Sequence, residues 1–65
     1  MVTVREWLEE VGLGQYAGVF EVNEITLEIA ARLSDADLKE LGMGIMGHRK
    51  IFFQAAETLG QPLNT

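Results

Sequence analysis

An all-α domain built from five short helices is what this 65-residue sequence predicts, and three features carry that expectation. Apolar residues recur at helical spacing in five separate segments, most of them opened by a capping residue or closed by a glycine. No run of four or more residues alternates in the manner of a strand between turns. The hydrophobic share is 48%, high for so small a chain, as expected when nearly every helix commits a face to one shared core. A chain of this length buries only about 60% of the surface that its unfolded form exposes, so stability should be marginal.

The elements follow in order. Thr3-Val4-Arg5-Glu6 reads as a capping box, in which the threonine hydroxyl accepts an orphan N–H and the glutamate reaches back to the cap. Val4, Trp7, Leu8 and Val11 then form one apolar stripe, with Gly12 as a left-handed stop, so a first helix is predicted over residues 4 to 11. Beyond Gly14, the spacing of Tyr16, Val19 and Phe20 predicts a second helix that dissolves at Val22-Asn23-Glu24. Thr26 caps a third of barely two turns carrying Leu27, Ala30 and Leu33, with Ile25 placed as a staple. Ser34-Asp35-Ala36-Asp37 is a second capping signature whose acids suit the positive end of a helix dipole; Leu38 and Leu41 face inward and Gly42 ends this fourth helix. The fifth and longest runs from Ile45 to Leu59, closed by Gly60 and Pro62. On a helical wheel His48, Ile51, Phe52, Ala55 and Leu59 make its core face, while Met46, Arg49, Lys50, Phe53 and Glu57 project outward. Residues 3–60 are expected to form one domain and residues 61–65 a frayed tail.

Composition narrows the function classes. With no cysteine and one histidine, neither a disulfide framework nor a structural zinc site is available, and no metal or cofactor is expected. No apolar run reaches the roughly 20 residues that cross a bilayer, and Met1 to Arg5 lack the order of a signal peptide, so a cytoplasmic location is expected. Ten acidic residues against five basic ones give a net charge of -5, unfavourable for a nucleic-acid backbone. Paired carboxylates for acid–base work need a concave site that so small a bundle hardly offers, and an enzyme is not expected. His48 reads as a half-buried packing residue, and Trp7 and Tyr16 as core aromatics with polar tips at the surface. Gly47 follows a helix rather than a strand, against a nucleotide fingerprint; it reads as a site of close helix approach that also leaves backbone open to a partner.

The succession Trp7-Leu8, Val11-Gly12-Leu13, Tyr16, Phe20, Ile25, Leu33, Asp37-Leu38, Leu41-Gly42-Met43 and Gly47-His48-Arg49-Lys50-Ile51 closely resembles the sterile alpha motif (SAM) family across residues 3 to 59. The resemblance implies a five-helix SAM-like bundle with a long C-terminal helix. It also implies a protein-interaction module that self-associates or pairs with another SAM domain, head to tail, through an end-helix and a mid-loop surface, within a larger signalling or regulatory protein. Contacts of that kind build open polymers unless they close into rings. The positions matching the end-helix surface are Met46, Gly47, Arg49, Lys50 and Phe53; those matching the mid-loop surface are Glu21, Glu24, Glu28, Asp35, Asp37 and Glu40. Charge supports the match, because Arg49 and Lys50 are neighbours in a chain poor in basic residues while the middle helices are acidic. Two alternatives stand beside it. Some SAM domains bind hairpin RNA through a basic patch, here limited to Arg49, Lys50 and Arg5, and others are monomeric spacers.

Overall fold

The computed structural model describes residues 2–60; the tail expected to fray, residues 61–65, lies outside the described residues. The helices are α1 (Val4–Glu10), α2 (Ala17–Val22, preceded by a 3-10 turn at Gly14–Tyr16), α3 (Leu27–Ala30), α4 (Asp35–Glu40) and α5 (Met46–Gly60). Five helices and no strand among the described residues make the all-α bundle expected. Both capping boxes form, the Thr3 and Ser34 hydroxyls each accepting the backbone N–H three residues on and the Glu6 and Asp37 carboxylates returning to the cap N–H at 3.0 Å. Thr26 caps α3. That helix has a single turn and leaves Leu33 in the turn that follows, shorter than its apolar spacing predicts.

Three of the helices stop in the same way. Gly12, Glu24 and Gly42 have φ of +87°, +56° and +100°, the left-handed conformation that reverses the chain after α1, α2 and α4. In each case the next residue donates its N–H to the carbonyl five residues back: Leu13 to Leu8 at 2.7 Å, Ile25 to Phe20 at 2.9 Å and Met43 to Leu38 at 2.9 Å. This is the Schellman arrangement, in which the two residues joined by that bond also meet as apolar side chains. All six are buried, and five of them, with Phe52, are the largest fully buried side chains of the core. Gly12 and Gly42 supply the left-handed residue at no steric cost. Glu24 does so against the preference of an L-residue.

α5 covers this arrangement with Phe52, whose ring lies edge-on to Trp7 at 5.3 Å and tilted against Phe20 at 5.8 Å. The helix is rotated about its axis from the predicted setting by roughly 60°, at 100° per residue. Arg49 and Ala56 turn inward, both 8% exposed, and Ile51, expected in the core, turns outward at 43%. Apolar residues cover more than half of the circumference of α5, so apolar spacing alone does not fix its direction; in the fold Phe52 packs on Trp7 and Phe20 while Arg49 bonds to Asp35 and the Met43 carbonyl.

For a chain of this length, total stability is on the order of 3–10 kcal/mol. Phe52→Ala is expected to remove about 3–5 kcal/mol, a third or more of that total, and to lower the melting temperature steeply, read by thermal denaturation followed by circular dichroism. Glu24→Gly is expected to gain about 0.5–1 kcal/mol, the relief of left-handed strain exceeding the added entropy of the unfolded chain. A lower melting temperature for that variant would contradict the account of the α2 stop.

Candidate functional site

Two opposed kinds of surface emerge. At the start of α5, Ile45 and Met46 are 57% and 62% exposed, Lys50 is exposed, and Phe53 is half-buried with its ring edge-on to Phe52. Arg49, expected beside Lys50 on the outer face, points inward. Its Nε donates to Asp35 Oδ1 at 2.7 Å and its Nη1 to the Met43 carbonyl at 3.1 Å. Burial of a guanidinium is tolerated because these acceptors replace its water. Asp35, matched to the mid-loop surface, is thereby drawn to the basic end of the molecule, where Lys39 Nζ also lies 3.6 Å from its other oxygen. The hydrogen bond from Arg49 holds the Asp35 carboxyl below the usual carboxylate range despite opposing desolvation, with the charges of Arg49 and Lys39 adding to the effect. Asp35, Lys39, Met46, Arg49, Lys50 and Phe53 line one shallow depression. Lys39 escapes a reading of the sequence because it sits on an acidic helix; its place four residues after Asp35 is the only local signal. Gly47 has nothing within 4 Å of where a Cβ would stand, so the expected close helix approach does not occur and the backbone there is open.

The acidic residues divide by what they already bind. Arg5 clamps Glu21 with two bonds of 2.8 and 2.7 Å, and the Glu21 carboxyl is lowered chiefly by that hydrogen bonding. Asp37 is committed to the Ser34 cap. Glu24, Glu28 and Glu40 are exposed and have no charged partner among the described residues. Two open grooves lie beside them: one lined by Asn23, Ile25, Leu33, Asp37, Glu40 and Leu41, the other between the start of α1 and the start of α3.

His48 is half-buried, as its position on the wheel implied, and its Nδ1 lies 2.6 Å from the Tyr16 hydroxyl, a link across 32 residues with no local signal. With the imidazole proton on Nε2, the phenol donates and Nδ1 accepts. Among the described residues no group of three metal-ligating side chains comes together, and no helix is long and apolar enough to cross a membrane. Of the basic residues considered for RNA, Arg5 is engaged by Glu21 and Arg49 by Asp35, leaving Lys50.

The Asp35 pair makes stability depend on pH with a defined sign. A folded-state pKa below the unfolded value contributes stability fully present above about pH 3.9 and lost as pH falls through the lowered value. Asp35→Asn is therefore expected to melt below wild type at pH 7, the gap closing towards pH 2. A gap independent of pH would mean that the carboxylate charge is not what matters. Arg49→Met should cost about 1–2 kcal/mol, because the partner carboxylate is itself exposed.

The profile of the SAM domain (Sterile alpha motif) family matches residues 1–60. Protein bicaudal C homolog 1 of Homo sapiens is 39% identical over 56 residues, which cover 86% of this chain and 6% of that protein. Protein bicaudal C of Drosophila melanogaster is 38% identical over 56 residues, with the same coverage. Ephrin type-A receptor 6 of Homo sapiens is 30% identical over 59 residues, 89% of this chain and 6% of that receptor. The chain thus spans a small part of the length of the relatives it matches, and a SAM domain within larger proteins supports a protein-interaction module. Helix order, the Leu41-Gly42-Met43 stop before a long last helix and the profile match over residues 1–60 agree: the chain belongs to the sterile alpha motif family.

Proposed function

We propose that this chain is a non-catalytic docking module that associates head to tail with a second copy or with another SAM domain. The end-helix surface of one copy meets the acidic mid-loop surface of the next. The observation that carries the reading is the pairing of unmatched features. Met46 and Phe53 stand beside the unpaired Lys50 at one end, while Glu24, Glu28 and Glu40 border open grooves elsewhere without charged partners among the described residues. Met46 and Phe53 supply the apolar anchors, which carry affinity, and the charges steer encounter and fix register. Gly47 keeps the backbone approachable. Arg49 and Asp35 act as supports that hold the start of α5, and Glu21 and Asp37 are spent on internal bonds; this revises their expected roles at the interface. Because the two surfaces differ, the contact is heterologous and propagates into an open chain unless the rotation closes it. The domain would serve a larger signalling or regulatory protein in the cytoplasm; its small share of the relatives' length supports the place within a larger protein.

Sedimentation velocity tests the reading. Wild type is expected to grow in mass with concentration, whereas Lys50→Glu and Glu40→Lys each remain monomeric. Mixed together, the two variants should form a heterodimer, since each keeps the surface that the other lacks. A wild type monomeric at millimolar concentration, with no heterodimer on mixing, would leave a solitary spacer domain and sink the self-docking proposal.

A further inference from the structure

The sulfur of this chain is all methionine, since it has three methionines and no cysteine. The two among the described residues are placed in opposite ways. Met43, bonded back to Leu38 at the third left-handed stop, is fully buried, whereas Met46 is 62% exposed in the first turn of α5. A small oxidant can reach one side chain and not the other. Met46 also lines the depression shared by Asp35, Lys39, Lys50 and Phe53, where it adds apolar surface to a region edged by charge. It takes no part in the buried core or in the apolar layer packed against it. A change confined to Met46 therefore alters that surface and spares the fold. Hydrogen peroxide makes such a change in a two-electron reaction: the S–O bond forms as the O–O bond breaks, the departing hydroxide takes up the hydroxyl proton to leave as water, and the thioether is oxidised to a sulfoxide. A flexible apolar side chain becomes a polar one.

We propose that Met46 is a reversible oxidation site that switches the end-helix surface off. As the thioether it is an apolar anchor for a partner, and as the sulfoxide it sets a polar S=O group against the partner's apolar surface. The switch rests on the docking reading of that surface and supplies its regulation. Burial of Met43 keeps the bundle intact under the same treatment, and exposure of Met46 lets the two sulfoxide reductases, one for each epimer, restore it.

The test treats the 65-residue chain with hydrogen peroxide, follows the sulfoxide at each methionine by fragment mass spectrometry and measures association by sedimentation velocity before and after. Met46 is expected to oxidise at least about tenfold faster than Met43, with the melting curve unchanged, while association weakens about tenfold or more and returns after reductase treatment. Met46→Leu, apolar but without sulfur, should associate as wild type does and ignore peroxide. Met46→Gln, polar from the outset, should match the oxidised chain without treatment. Equal rates at Met43 and Met46 would overturn the assignment of the site, as would the same loss of association in peroxide-treated Met46→Leu, which would put the effect elsewhere in the chain. Association that survives complete oxidation of Met46 would overturn the switch and leave the docking reading standing. An untreated wild type that is monomeric at millimolar concentration is the separate failure of docking itself, and the switch falls with it.

Discussion

The Schellman stop, used three times, is the constraint from which the rest of the molecule follows. Each stop reverses the chain at a left-handed residue, satisfies carbonyls at a buried helix end and presses together the two apolar residues that its bond joins. Those pairs, Leu8 with Leu13, Phe20 with Ile25 and Leu38 with Met43, constitute most of the core. A domain this small has too little interior for separate turn and core residues, so the same residues do both. Phe52 then needs only to cover a surface whose shape the turns have set.

The third stop reaches furthest, because it shapes the start of α5. Gly42 directs Met43 into the core and leaves its carbonyl facing Arg49, while Asp35 at the first turn of α4 takes the other side of the guanidinium. This three-point contact ties α4, the intervening loop and α5 together. Together with the packing of Phe52 on Trp7 and Phe20, it accompanies the rotation of α5 that leaves some residues of that helix facing water. Lys50 and Met46 are exposed, and Phe53 half-exposed, because Arg49 is not. An arginine that looks like an outer-face residue is instead bonded to α4 and to the loop before α5.

Charge is organised by subtraction. Exposed ion pairs such as Arg5 with Glu21 or Lys39 with Asp35 contribute little to stability. Their larger effect is to decide which charges remain available. A formal net charge of -5 says nothing about where attraction lies, whereas removing the committed residues leaves Glu10, Glu24, Glu28, Glu40 and Glu57 against Arg32 and Lys50 among the described residues.

What the sequence by itself determined was everything governed by contacts within about five residues. The caps at Thr3, Thr26 and Ser34, the stops at Gly12 and Gly42 and the existence of five helices with a long last one were all legible, because capping and left-handed turns are local chemistry. The resemblance carried by Trp7-Leu8, Leu41-Gly42 and Gly47-His48-Arg49-Lys50-Ile51 supplied the family on top of that. The tertiary structure alone decided the rotation of α5, the burial of Arg49, the move of Asp35 to the basic end and the pairing of Tyr16 with His48 and of Arg5 with Glu21. Those contacts span 14, 32 and 16 residues. A helix with apolar residues around much of its circumference has no preferred direction of its own, so contacts present only in the folded chain, the packing of Phe52 on Trp7 and Phe20 and the bonds of Arg49 to Asp35 and the Met43 carbonyl, decided which face became core.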